Sequence, residues 1–361
     1  MITAEGCRKR RERLLARLKP AGPTVLGEAC HLRYFANFYV EPMSLGGDFG
    51  GVLVLQPDGH TLLFHDNRMP KSVKSGFVDE WKALPWYDGQ SPGQGPRGLV
   101  CRAMLEAAGT GGRIHDSLGD PHAPQIYNLT AELRRAKDAD EIEQMRACMR
   151  ATEAGHAWAR ANVKPGMSEL EVYAGVCNAV YAQAGHWAVV YGDFTVSPGS
   201  AKRGGPPTPH ILQSGETFII DYSVILGGYR SDFTNTIAVG GKPSADQKRL
   251  FDLCVQAMSA GEKELKAGAK CQTVYDGVRG VFSAAGMADS FPHHAGHGLG
   301  ISHPEPPYLV RHSTETLIAG DIVTLEPGLY VDNVGGVRIE NNYLITASGY
   351  ERLSNHTIAL A

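Results

Sequence analysis

The spacing of apolar residues predicts three long helices in the middle of the chain, over 138–163, 168–185 and 244–261. Two of them begin with a capping box, in which a serine and the residue three positions later bond to each other's backbone. The pairs are Ser168 with Glu171 and Ser244 with Gln247. The second helix is expected to stop at Gly185, because glycine favours a helix C-terminus.

Runs of β-branched and aliphatic residues predict strands between and after these helices, at 217–226, 229–239, 321–331 and 336–346. Nearer the N-terminus, 31–40 and 50–65 also resemble strands. The second of these segments predicts a hairpin that turns at Pro57-Asp58-Gly59. Helices and strands together indicate an α+β fold.

The length of 361 residues exceeds that of one ordinary compact domain, so we expect two domains. Polar and turn-forming residues cluster at 122–130, and the long predicted helices begin after them. We therefore place the boundary there. The expected parts are a small αβ domain over 1–127 and a larger α+β domain over 128–361.

The composition is typical of a globular enzyme, with 43% apolar and 20% charged residues. The net charge of −3 gives no electrostatic footprint for a nucleic acid. Basic residues near the N-terminus are interpreted as the solvated face of a helix whose inner face carries Leu14, Leu15 and Leu18. These basic residues are Arg8, Lys9, Arg10, Arg11 and Arg13. Since no apolar run approaches the roughly 18 residues of a membrane span, we expect neither nucleic-acid nor membrane partners.

The seven cysteines are scattered, and no two have the C-x-x-C spacing. This pattern argues against a disulfide framework and against a structural zinc cluster. The N-terminal segment also lacks the apolar block of a secretion signal. A reducing, cytoplasmic compartment is therefore the expected location.

Two aspartates lie in apolar strands on either side of Gly227-Gly228. A turn centred on Leu226-Gly227 would place Asp221 directly opposite Asp232. Like charges on facing strand positions are destabilising, and acidic residues are depleted in strands. Either these side chains lie on a solvated face, or a cation neutralises them.

A second predicted hairpin, over 321–345, repeats the pattern with Glu326 on one arm and Glu340 on the other. The segment "HHAGHGLGISHPEPP" at 293–307 lies between the two hairpins and adds nitrogen donors. Four carboxylates with few nitrogen donors suit divalent Mn, Co, Fe or Zn. Bridging carboxylates can hold two such ions roughly 3.5 Å apart. The repetition favours a metal site over a solvated face.

These segments resemble the M24 metallopeptidases of pita-bread fold, which include Xaa-Pro dipeptidase (prolidase), aminopeptidase P and methionine aminopeptidase. The matching segments follow the family's order: "IIDYSVILGGYRSDFTNT", "HAGHGLG", "TLEPGLY" and "GVRIENN". "HLRYFANF" looks like part of the N-terminal domain of prolidases and aminopeptidase P. The resemblance implies a creatinase/prolidase-like domain over 1–127 and a pita-bread catalytic domain over 128–361.

The resemblance also implies hydrolysis of the bond before proline in Xaa-Pro dipeptides or short Xaa-Pro peptides, by hydroxide bridging two divalent ions. The five ligands would be Asp221, Asp232, His297, Glu326 and Glu340. Glu326 would also carry the proton from the water to the leaving nitrogen. The partner would be a small peptide, and we expect a homodimer, as is common in the family.

Other residues match family positions that contact the substrate. His210 and His303 would contact the substrate or the tetrahedral intermediate, and His293 would lie on the leaving-group side. Arg338 has two open interpretations, binding a substrate carboxylate or orienting a metal-ligating carboxylate. His294 is assigned no role.

Two departures from the family pattern suggest an altered substrate preference. The segment from His297 to His303 is one residue shorter than is usual in the family. Tyr222 and Ser223 replace small residues after Asp221, and Ser223 is expected to narrow the pocket. A repurposed enzyme acting on a small non-peptide molecule, such as a lyase of the dimethylsulfoniopropionate type, is therefore the alternative. An inactive metal-holding binding protein is the third hypothesis.

Overall fold

The computed structural model describes residues 1–38, 51–67, 76–84, 89–92, 102 and 104–361. They form two compact units, Met1–Arg134 and Arg135–Ala361. The polar segment at 122–130 is helical, because its apolar residues recur at helical spacing and are buried. The assignment of 1–127 and 128–361 to separate domains stays a prediction.

The first unit contains a four-stranded sheet with the strand order β1-β2-β3-β4. Its strands are β1 Thr24–Leu26, β2 Gly51–Leu55, β3 Thr61–Asp66 and β4 Glu80–Leu84. Its helices include α1 Ala4–Leu18, α2 Ala29–Ala36 and α3 Ala123–Arg135, which extends to the first residue of the second unit. Strands β2 and β3 pair antiparallel from Leu55 and Thr61, which confirms the predicted hairpin.

Two predictions about the first unit are wrong. The segment 31–40 was expected to be a strand, but residues 31–36 belong to α2, and 39–40 lie outside the described residues. Arg10 and Arg11 were expected in solvent, but both are buried. The Arg10 guanidinium lies 5.3 Å from the centre of the Tyr34 ring, and Arg11 donates to backbone carbonyls. Aromatic stacking and carbonyl acceptors help to stabilise a buried guanidinium.

The second unit confirms the three predicted long helices. Its helices are α4 Ala139–Asn162, α5 Glu169–Ala184, α6 Ala245–Glu262 and α7 Cys271–Ala284, followed by a short 3₁₀ helix at Ala288–Ser290. Both predicted capping boxes are present, at Ser168 and Ser244. Gly185 ends α5 with a positive φ of 72°, a conformation that glycine adopts without strain.

The strands of the second unit form three sheets. The strands are β5 Val189–Val196, β6 Thr217–Leu226, β7 Tyr229–Arg230, β8 Phe233–Ala238, β9 Gly296–Gly298, β10 Glu305–Leu309, β11 Ile322–Leu325, β12 Gly328–Val331, β13 Gly335–Arg338, β14 Asn341–Ile345 and β15 Tyr350–Arg352. In one sheet, β6 pairs with β5, β7 and β8; a second has the order β10-β9-β11-β14-β15; β12 and β13 form the third. The helices and mainly antiparallel strands confirm the predicted α+β class.

Helices α6 and α7 cover one face of the five-stranded sheet. Val323 and Leu325 of β11 belong to the same buried apolar cluster as Cys254 of α6 and Val278 of α7. Since side chains alternate along a strand, the residue between them, Thr324, points to the other face. That face carries the polar groups described below. Among the described residues, no helix has the length and apolar character needed to cross a membrane.

Candidate metal centre

The first hairpin turns one residue later than predicted, and this changes the partner of Asp221. The turn is Gly227-Gly228, with φ of 55° and 85°, which is the two-glycine conformation that joins antiparallel strands tightly. Asp221 therefore lies opposite Thr234, and the predicted pairing with Asp232 is wrong. Asp232 instead accepts a hydrogen bond from Ser223 at 3.2 Å. Because Ser223 is two residues from Asp221, both aspartates still lie on one face.

The second hairpin is interrupted where its two glutamates occur. Leu325 pairs with Asn341 on one side of the interruption, and Gly328 pairs with Arg338 on the other. Glu326 and Glu340 lie between these pairs and face one another in the register. Both are buried. One oxygen of Glu340 accepts from Thr234 at 2.7 Å, but Oε1 is buried without a partner.

His297 lies on the short strand β9, between β10 and β11. The flanking glycines make this possible, because a Cβ on Gly296 would lie 2.1 Å from the Thr324 carbonyl oxygen. A Cβ on Gly298 would lie 2.2 Å from the Pro306 carbonyl oxygen. The GHG sequence therefore lets the backbones approach closely around one functional side chain.

The orientation of the His297 ring gives the strongest indication of a metal. Nδ1 lies 2.9 Å from the carbonyl oxygen of Gly298, and since a carbonyl only accepts, Nδ1 carries the proton. Burial lowers the pKa of His297 and so favours the neutral ring, in which Nε2 presents its lone pair to Glu326 Oε1 at 3.6 Å and to Asp232 Oδ2 at 3.7 Å. Three electron-rich atoms face each other with no hydrogen between them. A cation bound by all three atoms would remove their mutual repulsion. The hydrogen bond from Nδ1 to a backbone carbonyl, on the opposite side of the ring, is typical of a metal-ligating histidine.

Two of the four carboxylates, Asp221 and Glu340, have raised pKa values, so a bound cation would stabilise their charged forms. Burial raises the pKa of Asp221 to about 7, against the lowering effect of Arg338, and Asp232 adds to the increase. Burial and the neighbouring carboxylates raise the pKa of Glu340 well above its usual range. Burial also acts to raise the pKa of Glu326, but His294 and His297 hold it below its usual value. The donor set therefore fits divalent metal.

Ligand atoms from the predicted ligands and the neighbouring histidines form three groups, within each of which the atoms lie within 4.8 Å of one another. The groups are Asp221, Asp232 and Glu340; Asp232, His297 and His303; and His293, His294 and Glu326. Asp232 belongs to two of them, as expected of a bridging carboxylate. All five predicted ligands line one cavity of about 460 Å³.

Three further histidines line the same cavity. His303 Nε2 lies 2.7 Å from Asp232 Oδ2, so the shorter loop still brings it to the centre. His293 Nε2 lies 3.2 Å from the Tyr330 hydroxyl. His294, to which the sequence assigned no role, has Nδ1 3.3 Å from Glu326 Oε1. The structure therefore places His294 at the centre, which the sequence prediction missed.

Arg338 is fully engaged at its terminal nitrogens. Nη2 lies 2.6 Å from Asp221 Oδ2 and 2.5 Å from Asp193 Oδ2. Nη1 donates to the Tyr330 hydroxyl at 2.9 Å and to the backbone carbonyl of Arg203 at 3.1 Å. Of the two interpretations left open by the sequence, this geometry favours orientation of the ligand Asp221.

His210 is not brought to the cavity, contrary to the expectation from the resemblance. Its Nε2 lies 3.0 Å from both carboxylate oxygens of Glu216, and its side chain is 40% exposed. The part of this loop that lines the cavity is Arg203 and Gly204. A Cβ on Gly204 would lie 2.0 Å from Asp193 Oδ2, so Asp193 occupies the space that a side chain there would need.

The sequence prediction missed other residues of the cavity. They are Tyr191, Asp193, Arg203, Arg230 and Tyr330. Asp193 lies on β5 directly opposite Asp221. Its acidic side chain within a strand could have identified it as a cavity residue from the sequence. The polar cavity surface is therefore larger than the five ligands. Tyr222, by contrast, points away from the cavity into the core and donates to the Thr152 carbonyl at 2.6 Å.

Comparison with known proteins gives consistent matches. The model of Metallopeptidase family M24 matches residues 143–347. An uncharacterized peptidase of Staphylococcus haemolyticus is 32% identical over 248 residues, which cover 67% of this chain and 69% of that protein. An uncharacterized peptidase of Staphylococcus aureus strain USA300 is 31% identical over 230 residues, 62% of this chain and 64% of that protein.

The fold is similar to solved structures over nearly the whole chain. The Xaa-Pro dipeptidase from Bacillus anthracis superposes with a TM-score of 0.79 at 22% identity, covering 99% of both chains. The prolidase from Pyrococcus horikoshii OT3 has a TM-score of 0.77 at 19% identity, covering 98% of this chain and 100% of that chain. This likeness confirms the expected pita-bread fold.

Proposed function

This chain belongs to metallopeptidase family M24 and is a metallopeptidase, and from this premise we propose that it hydrolyses the bond before proline. The substrates are Xaa-Pro dipeptides or short Xaa-Pro peptides. The observation that supports this proposal best is the position of His297, whose Nδ1 contacts a backbone carbonyl while Nε2 lies 3.6 Å from Glu326 and 3.7 Å from Asp232. Prolidases and an Xaa-Pro dipeptidase among the structural neighbours motivate the substrate class.

Two divalent ions would be held by the five ligands, with Asp232 and Glu340 shared between them. They are Asp221, Asp232, His297, Glu326 and Glu340. Divalent ions bound there would activate a water molecule and polarise the scissile carbonyl. We propose manganese or cobalt first, with zinc and iron as alternatives, because the donor set is rich in carboxylates.

Side chains of the cavity would transfer the proton, stabilise the oxyanion and contact the leaving group. Glu326, with its pKa held low by the neighbouring histidines, is ionised and takes the proton of the attacking water. It delivers that proton to the leaving nitrogen. His303 donates to the developing oxyanion. His293, hydrogen-bonded to Tyr330, lines the leaving-group side.

Activity on defined peptides tests the proposal. The purified protein is loaded with Mn²⁺ or Co²⁺, its metal content is measured by mass spectrometry, and Ala-Pro, Ala-Pro-Ala and Ala-Ala are compared as substrates. Release of alanine from the two proline peptides is expected, with little from Ala-Ala. Glu326→Gln removes the proton acceptor but keeps an oxygen ligand, so kcat should fall by about 10²–10⁴. Metal bound without turnover of either proline peptide would exclude the proposal.

The non-peptide alternative has its own test, because Ser223 and Arg230 add polar groups to the cavity beside the ligands. Incubation with dimethylsulfoniopropionate and detection of dimethyl sulfide distinguishes it from peptidase activity. Homodimer formation and a cytoplasmic location are proposed with the peptidase function. Light scattering of the purified protein and fractionation of cells address these two points.

A further inference from the structure

Arg230 lies in the cavity beside the metal ligands, although the proposed hydrolysis gives it no role. It ends the short strand β7, immediately after the Gly227-Gly228 turn. Its backbone N–H donates to the Gly300 carbonyl at 3.2 Å. The tight turn and this bond fix the backbone from which the side chain enters the cavity.

The Arg230 guanidinium is positioned by one hydroxyl group. Nε and Nη2 both donate to Ser223 Oγ, at 3.2 Å and 2.8 Å. The same Ser223 hydroxyl donates to Asp232 Oδ1 at 3.2 Å. Arg230 is therefore linked to the bridging ligand through a single serine, and Ser223 orients both groups.

Most side-chain donors of Arg230 have no acceptor among the described residues. A guanidinium has five N–H donors, and two of them point to Ser223, which leaves three. Among the described residues, no carboxylate forms an ion pair with Arg230, since Asp232 pairs with His303 and Asp221 with Arg338. Arg338 differs because both of its terminal nitrogens already have two acceptors.

A partly buried arginine with free donors in a cavity is suited to bind a planar anion. Carboxylates accept two parallel hydrogen bonds from a guanidinium, a geometry that lysine does not match. We propose that Arg230 binds a carboxylate of the substrate and selects for substrates that carry one next to the reacting bond. The identity of that substrate as a peptide rests on the function proposed above.

Two parts of a peptide can supply this carboxylate. One is an acidic side chain on the first residue, as in Glu-Pro, and the other is the free C-terminus of a dipeptide. Arg230 lies on the side of the cavity with Ser223 and Asp232, whereas His293 contacts Tyr330 on the leaving-group side. The experiment separates the two sources with matched substrate pairs.

The test compares kcat/KM for Glu-Pro against Gln-Pro and for Ala-Pro against Ala-prolinamide, by release of the first amino acid. The wild type should prefer the carboxylate in one pair by roughly tenfold to a hundredfold, the range of a charge-assisted hydrogen bond. Arg230→Gln should bring the ratio of kcat/KM between the carboxylate substrate and its neutral partner close to one, mainly by raising KM for the carboxylate substrate. Arg230→Lys should retain part of it, and metal content should be unchanged in both.

The matched control is Arg150→Gln, an exposed arginine on α4 paired with Glu143, which should leave the preference unchanged. An equal loss for all four substrates in Arg230→Gln would assign Arg230 a structural role and overturn the proposal. So would a wild type without preference in either pair. Loss of the preference in Arg203→Gln, with retention in Arg230→Gln, would assign the carboxylate to the loop instead.

A binding measurement keeps this inference separate from the proposed peptidase function. If the wild type cleaves no Xaa-Pro peptide, the function fails, but calorimetry on the manganese-loaded protein still tests Arg230. The probes are L-glutamate against L-glutamine and L-proline against L-prolinamide. If the wild type binds one carboxylate probe more tightly than its neutral partner and Arg230→Gln does not, the result supports carboxylate binding by Arg230. Equal affinity of the wild type for both members of each pair contradicts it.

Discussion

At the scale of single residues, the sequence predicted functional residues that follow a repeated pattern. It did not predict which loop residues lie close to the cavity. Asp221, Asp232, Glu326 and Glu340 were noticed because acidic residues are rare in apolar strands, and the structure brings them into one cavity. His210 was misplaced because a loop histidine carries no such pattern, and here it pairs with Glu216. Resemblance to a motif cannot show which part of a loop reaches the cavity.

Asp221 makes metal binding dependent on pH. Its pKa of about 7 lies above the ordinary 3.8, because burial disfavours its charge. A proton must leave before the carboxylate ligates a metal, so the contribution of Asp221 to affinity should rise by up to roughly tenfold per pH unit below pH 7 and level off above it. Glu340, whose pKa is also raised, adds a further rise that Asp221→Asn retains. Burial lowers the pKa of His297, so this residue adds little slope between pH 6 and 8.

Competition with a chelator for Mn²⁺ at pH 6, 7 and 8 measures this dependence. Asp221→Asn is the matched variant, which should bind the metal more weakly and with a shallower pH profile. An affinity of the wild type that does not change over this range would show that Asp221 is already ionised before the metal binds.

At the scale of elements, helix ends and hairpins were predictable, but register was not. Capping boxes at Ser168 and Ser244 involve contacts within four residues, so the sequence contains their whole cause. The first hairpin was predicted one residue too early because either of two adjacent turns is compatible with its apolar pattern. Helix α2 was predicted to be a strand because its aromatic residues favour strands. That preference is weak, and burial of these residues on a helical face outweighs it.

The segment that carries His303 is anchored by a buried ion pair. Lys137 Nζ lies 2.8 Å from Glu305 Oε1, and both side chains are at most 2% exposed. Glu305→Gln leaves the lysine charge buried and uncompensated, so the free energy of unfolding should fall by about 3–5 kcal/mol. Urea denaturation followed by circular dichroism measures this change.

Two further variants decide whether buried charge is the cause. Lys137→Met combined with Glu305→Leu removes both charges and should recover much of the loss. Glu351→Gln removes one partner of the more exposed Arg146 pair and should cost less than about 1 kcal/mol. Equal effects of the Glu305 and Glu351 substitutions would show that the buried pair has no special role in stability.

At the scale of the whole molecule, the sequence indicated two parts and located every proposed ligand in the second one. In the described structure, all five proposed ligands belong to the unit Arg135–Ala361. Length and composition suggested the number of parts, because a core of one domain stops growing at about 250–300 residues. The position of the division was argued from turn-forming residues at 122–130, which form a helix here, and it stays a prediction.

Metal should therefore stabilise the second unit selectively. Binding to the folded state adds RT ln(1 + [L]/Kd), about 2.7 kcal/mol at a hundredfold excess over Kd. Hydrogen exchange should slow on addition of Mn²⁺ in the hairpins that carry the ligands, 217–238 and 322–345. The sheet of the first unit, represented by β2 and β3, should exchange at an unchanged rate. His297→Ala serves as the control, because its hairpins should lose most of this protection. Equal protection of both units from hydrogen exchange would mean that they unfold together. No protection of the hairpins would contradict the proposed metal centre.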